Sequence, residues 1–176
     1  DGAGVAHELG RLPGAFLGEA LGVSSDGSTV VGWSGTGAQA FRWTEAEGMV
    51  GLGTAVPEET EARALDVSSD GSVIVGSLVL GDVFSGGELV AMIWDPINGQ
   101  RVLQDVLAPD VDLTGWVLMQ ATGVSDDGLT IVGTGRNPQG VTEGWVVVIP
   151  EPSTTLLLAL GLVGLAHVRR AAIRRA

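Results

Sequence analysis

The chain has 176 residues, 45% of them apolar, with 28 Gly, 3 Phe and no Tyr, a composition that supports one ordinary core and favours turns and short strands over long helices. Residues 1–152 set five arginines against 21 carboxylates, a formal charge of −16, which makes nucleic acid and bare anionic lipid poor partners for this body. The absence of cysteine excludes a disulfide framework, a thiolate nucleophile and Cys-based zinc or iron–sulfur sites.

The chain starts at Asp1 with neither Met nor a basic-then-apolar leader, as expected after signal-peptide removal or for a fragment. Residues 4–12 then read as an isolated fourth strand. The dominant pattern beyond them is a repeat. Ala20-Leu-Gly-Val-Ser-Ser-Asp-Gly-Ser-Thr-Val-Val-Gly32 recurs from Ala64 to Gly76 and from Ala121 to Gly133, at spacings of 44 and 57 residues. A second block follows each copy: Ala40-Phe-Arg-Trp-Thr with Gly48–Gly53, Ala91-Met-Ile-Trp-Asp with Gly99–Leu103, and Glu143-Gly-Trp-Val-Val. The extra residues of the second repeat, around Gly81–Gly87 and Asp105–Thr114, are expected to be surface loops.

Each repeat parses into four short strands. The first runs into a Ser-x-Asp-Gly turn, where Asp bonds the following backbone and Gly accepts positive φ, and a Val/Ile-rich second strand completes the hairpin. A Trp-centred third strand and a fourth ending in Leu-Gly follow. Four strands in about 45 residues is the period of a propeller blade, and the glycines at 32, 76 and 133 are expected to allow close approach where blades converge. The third repeat lacks a fourth strand, so pairing it with residues 4–12 would close a ring.

These blocks, with Leu9-Gly-Arg-Leu-Pro-Gly14 ahead of them, resemble the extracellular HAF repeat over nearly all of residues 5–149. The third repeat departs most, with Gly144-Trp145 in place of Ala-Phe-x-Trp. The resemblance implies a surface-exposed repeat protein with no established chemistry.

The tail opens with Pro150-Glu151-Pro152, and two prolines end the preceding strand. Ser153 to Val168 are sixteen residues without formal charge apart from a protonatable His167, and as a helix they would span roughly 24 Å. Arg169, Arg170, Arg174 and Arg175 follow and orient the C-terminus toward the cytoplasm by the positive-inside bias. The span is short, and snorkelling of Arg169 and Arg170 would extend it. Pro-Glu-Pro, an apolar Leu/Gly-rich helix and a terminal arginine cluster resemble the PEP-CTERM sorting signal of Gram-negative bacteria. That resemblance implies export, transient membrane retention and processing by an exosortase, commonly in makers of exopolysaccharide, with Pro150, Glu151 and Pro152 as recognition residues.

Catalytic candidates are sparse. His7 is the sole base available to a Ser-His-Asp arrangement outside the tail, and it reads better as a surface or edge residue. Asp110 with Asp112, and Asp126 with Asp127, could supply paired carboxylates for glycoside hydrolysis but read as solvated loops and turns. Asp26, Asp70 and Asp126 are the calcium candidates of the recurring turns, although one acid per turn falls short of six to eight oxygen ligands. Trp43, Trp94 and Trp145 recur once per repeat and read as packing between blades. Trp33 and Trp116 lie off the pattern and are the glycan-binding candidates. No phosphate loop stands in a strand-to-helix setting.

The sequence therefore predicts an all-β fold of about three four-stranded, propeller-like blades, partial or open, over residues 1–149. Its repeats lie near 20–53, 64–107 and 121–149. A sorting signal follows over 150–176, with a transmembrane helix at 153–168. The expected function is that of an exported, non-catalytic surface repeat protein without a cofactor. Its expected partners are the membrane, an exosortase-type enzyme and extracellular polysaccharide, with no nucleic acid. A carbohydrate-binding protein or glycoside hydrolase acting on that polysaccharide is the alternative.

Overall fold

The computed structural model describes residues 4, 6–81 and 86–149. They form three antiparallel sheets and one short helix. The first sheet holds β1 (Gly18–Val23), β2 (Thr29–Ser34), β3 (Gln39–Thr44) and β4 (Gly48–Gly51) in sequential order. The second repeats that order with β5 (Glu59–Val67), β6 (Ile74–Leu80), β7 (Glu88–Asp95) and β8 (Gly99–Val102), followed by α1 (Leu103–Leu107). The third has three strands, β9 (Val117–Val124), β10 (Thr130–Arg136) and β11 (Thr142–Val148).

The same hairpin opens every sheet. Gly27, Gly71 and Gly128 take φ near +73°, +72° and +75°, and their N–H groups donate to Ser24, Ser68 and Ser125 carbonyls. In each case the serine Oγ accepts the backbone N–H five residues on, at 3.0, 2.9 and 2.9 Å. The Ser-x-Asp-Gly words thus act as local turn chemistry.

Gly32, Gly76 and Gly133 serve a different purpose from the one the sequence suggests. The strand before each carries a bulge, at Leu21, Leu65 and Thr122, where the pairing register shifts. A carbonyl two residues before the bulge lies over the glycine. A Cβ there would lie 1.9 Å from the Glu19 oxygen, 2.0 Å from Arg63 and 2.0 Å from Gln120. The close approach is therefore within each sheet, between its first two strands, and not where sheets converge.

Sheets stack in chain order through two cores. The first joins Val31 and Ala40 of the first sheet, and Leu52 just after it, to Ala62, Ala64, Ile74, Leu78, Val90 and Met92 of the second. The second joins Val75, Ala91, Ile93, Leu103 and Leu107 to Leu118, Ala121, Ile131 and Trp145 of the third sheet. Residues at one repeat position therefore face the same way. Val31 and Val75 face the following sheet, whereas Ile74 and Ile131 face the preceding one. The first strand of each following sheet, β5 then β9, lies across the sheet before it.

Strand register revises the third block. Trp145 pairs with Gly133, as Phe41 pairs with Gly32 and Met92 with Gly76. Trp145 thus occupies the Phe41/Met92 position rather than that of Trp43 and Trp94, which Val147 fills. Its ring lies over Gly133, where a Cβ would meet the indole at 2.3 Å.

Two other expectations change. Residues 6–12 form no strand, and they lie against the first sheet: Leu12 is buried there and its N–H donates to Ser34 Oγ at 3.3 Å. The ring is not closed within the chain through these residues. The expected loop at Asp105–Thr114 is in part helical, because Leu103 and Leu107 stand one turn apart and both enter the second core. The other expected loop lies partly, and Pro150–Ala176 wholly, outside the described residues. Among the described residues no helix is long and apolar enough to cross a membrane.

Candidate functional site

The three Ser-x-Asp-Gly turns, one from each sheet, meet along one side of the stack. Asp126 accepts the Ser25 hydroxyl at 3.2 Å, and its carbonyl accepts the Ser69 N–H at 3.1 Å, so the third turn touches both others. A Cβ on Gly71 would lie 2.5 Å from Thr29 Oγ1, and one on Gly128 would lie 2.8 Å from Val73. This junction gathers the residues that sequence singled out for calcium.

The carboxylates there are occupied by the turns themselves. Asp26 Oδ1 accepts the Ser24 hydroxyl at 2.7 Å and the Ser28 N–H at 2.9 Å, and these bonds lower its pKa to about 2. Asp70 accepts from Ser72 and Ser68 in the same way, and its pKa is lowered too. In the third turn the equivalent residue is Asp127, not Asp126: Asp127 accepts the Ser125 hydroxyl and the Leu129 N–H, and its pKa falls for that reason. Asp126 sits one place earlier, at the position of Ser25 and Ser69, and bonds between turns. Among the described residues no three His, Asp or Glu side chains group as a metal site would.

The tryptophans are drawn into packing. Trp33 donates its indole N–H to Glu19 at 3.2 Å and carries the Arg63 guanidinium 5.0 Å from its ring centroid. Trp94 takes Arg42 at 5.8 Å. Both contacts cross from the first sheet to the second, the kind of cation–π pair worth about 0.5–1 kcal/mol when exposed. Trp116 packs on the edge of the second core, with its carbonyl accepting from Gln104 Nε2 at 3.1 Å. Trp33 and Trp116 therefore sit in different interfaces, each with protein partners.

The catalytic candidates are dispersed. His7 is exposed in the extended N-terminal segment. Asp112 caps its own loop, accepting the Thr114 hydroxyl at 2.7 Å and N–H at 3.0 Å, which lowers its pKa. An open cleft of about 260 Å³ is lined by Glu61, Arg63, Ser77, Leu89 and Gln120, with Arg63 and Glu61 paired at 3.7 Å.

Sequence reasoning missed the polar groups that join sheets. Asp66 accepts the Val124 N–H at 2.9 Å, from β5 to β9. Half-buried Glu59 accepts the Ala55 N–H and Gln100 Nε2, each at 2.7 Å, and burial raises its pKa. Asp66 falls where the other repeats have Gly22 and Gly123, and that break in the repeat was the available signal.

The body leaves the sheet at Val148, and the Ile149 N–H donates to Leu129. From there, residues 148–171 match the PEP-CTERM protein-sorting motif. The tail is a PEP-CTERM sorting signal. The protein is therefore exported, sorted to the cell surface and processed by an exosortase. Pro150, Glu151 and Pro152, the apolar run 153–168 and the arginines at 169, 170, 174 and 175 lie outside the described residues, and the match spans the motif, the run and the first two arginines. No curated protein matches the chain.

Proposed function

We propose that the body is a non-catalytic surface repeat domain of the HAF type, built of propeller-like blades and acting as a structural or adhesive element in an exopolysaccharide matrix. The observation that carries this reading is the fate of the recurring polar residues. Asp26, Asp70 and Asp127 hold turns and Trp94 holds the second sheet on the first, as does Trp33 from outside the repeat pattern, so these candidates are accounted for by folding and stacking. The sorting tail supplies the address, and the acidic body stays soluble beyond the membrane. Pro150, Glu151 and Pro152 serve as the recognition residues, and the arginines orient the helix.

Cell fractionation tests this. The mature protein is expected in the surface and matrix fractions with a mass lacking Arg169–Arg175, and its loss should weaken matrix cohesion. Turnover of polysaccharide by the purified full chain would overturn the non-catalytic reading. Saturable glycan binding abolished by Trp33→Ala or Trp116→Ala would replace it with a lectin.

A further inference from the structure

The two ends of the stack are complementary. On the third sheet, Val132 pairs with Val146, and Val148 lies on the same face of β11; they are 44%, 64% and 63% exposed. The same repeat positions in the second sheet, Val75 and Ile93, are buried under β9. The third sheet also lacks the fourth strand that β4 and β8 provide, which leaves the β11 edge open among the described residues.

At the other end, residues 6–10 carry the sequence of a fourth strand, and Leu9 and Gly10 border the first sheet as the end of a preceding one would. Leu9-Gly10 matches Leu52-Gly53, and Gly10 and Gly53 share the left-handed backbone at φ +77° and +88°. Leu9 borders the first sheet beside Ala20 and Phe41, as Leu52 and Leu103 meet the sheets that follow them. Ala6, His7 and Glu8 are exposed. The adjoining β1 leaves Leu21 and Val23 in solvent, although its counterparts β5 and β9 are the docking strands.

We propose that a second copy of this chain docks head-to-tail on the third sheet, lending residues 6–9 as its missing fourth strand beside β11. The register follows from β3–β4 and β7–β8, where Arg42 pairs with Val50 and Ile93 with Arg101. Those positions correspond to Val146 and His7, so Val146 of one copy pairs with His7 of the other. Trp43, which faces away from the first core, then meets Val146 as Trp94 meets Arg42 across the first interface. The contact continues an interface the chain already uses twice. It is heterologous, and two copies joined through both ends bring six of the described sheets into one ring.

The absence of cysteine makes the test direct. Full-length His7→Cys and Val146→Cys chains, each in mild detergent, are mixed under gentle oxidation; both positions are exposed, so the variants should fold. The expected result is a disulfide-linked heterodimer at least several-fold above either variant alone, or above His7→Cys mixed with Val50→Cys on β4. Light scattering should show the unmodified chain dimerising with concentration, and Val146→Lys should suppress that dimer. No heterodimer above the Val50→Cys control, or an unmodified chain that stays monomeric throughout, overturns the proposal. So does a Val146→Cys/His7→Cys double variant that closes on itself at high dilution, because the strand is then supplied within one chain.

Discussion

The second and third sheets are built from the same repeat but live in different surroundings. In the second, β6 is buried along most of its length because one sheet covers each face. In the third, β10 alternates buried and exposed from Ile131 to Arg136, because among the described residues only one sheet covers it. Val75 and Val132 are the same word in the sequence, yet one is fully buried and the other 44% exposed. Burial here is a property of position in the stack, and a repeat word specifies the strand without specifying its neighbours.

The largest break in that comparison should come from the interior sheet. Met92→Ala removes a fully buried side chain from the first core and should cost about 2–5 kcal/mol in urea denaturation. Val146→Ala, on the corresponding strand of the third sheet, should stay within about 0.5 kcal/mol at concentrations where the chain is monomeric. Equal losses at the two sites would mean that the third sheet's outer face is covered in solution.

A second probe asks what the two sheets share. Gly76→Ala would put a methyl 2.0 Å from the Arg63 carbonyl, a backbone atom that cannot swing aside, and should cost about 3 kcal/mol or more. Gly133→Ala faces the Gln120 carbonyl at 2.0 Å and the Trp145 ring as well, so it should cost at least as much. Gly53→Ala meets open space and should cost only the left-handed strain, about 1–2 kcal/mol. Thermal or urea midpoints of the three variants rank these effects.

The turns should respond to acid alike in all three sheets. Asp26, Asp70 and Asp127 have folded pKa values below the ordinary carboxylate range, so their contribution is present above about pH 4. It is lost as pH falls through the folded values, which for Asp26 means about 2. The melting temperature should drop over that window. Asp70→Asn and Asp127→Asn should each flatten the drop and lower the melting temperature at neutral pH, by similar amounts if the turns are equivalent.

The strands and turns were legible in the sequence because their causes are local. Ser24, Asp26 and Gly27 make their bonds within six residues, and so do their copies. That the third repeat has three strands among the described residues was legible as well. What stayed hidden depends on contacts between distant segments. The role of Gly76 requires the Arg63 carbonyl opposite it, on the strand that bulges at Leu65, and the placement of Trp145 requires the register of β11 on β10, two residues away from the alignment that its Trp suggests. The N-terminal segment carries fourth-strand letters, and its contact with the first sheet follows only from the fold. The tail was the most legible element, because a sorting signal is read as sequence by another protein.

The smallest effect should come from Glu59, where the interior sheet buries a charge. Burial raises its pKa, against the pull of the Ala55 N–H and the Gln100 amide, so the folded state favours the protonated acid more than the unfolded chain does. For a raised carboxylate, stability from this group is present at low pH and lost as pH rises through the folded value, opposite in sign to the turn aspartates. Glu59→Gln removes that loss. It also brings an amide donor to a place where Gln100 Oε1 is buried without a partner. The expected outcome is a small rise in melting temperature at neutral pH that disappears in acid. A fall at neutral pH would mean that the ionised carboxylate's two hydrogen bonds outweigh its burial, and that this sheet tolerates charge as readily as the open end does.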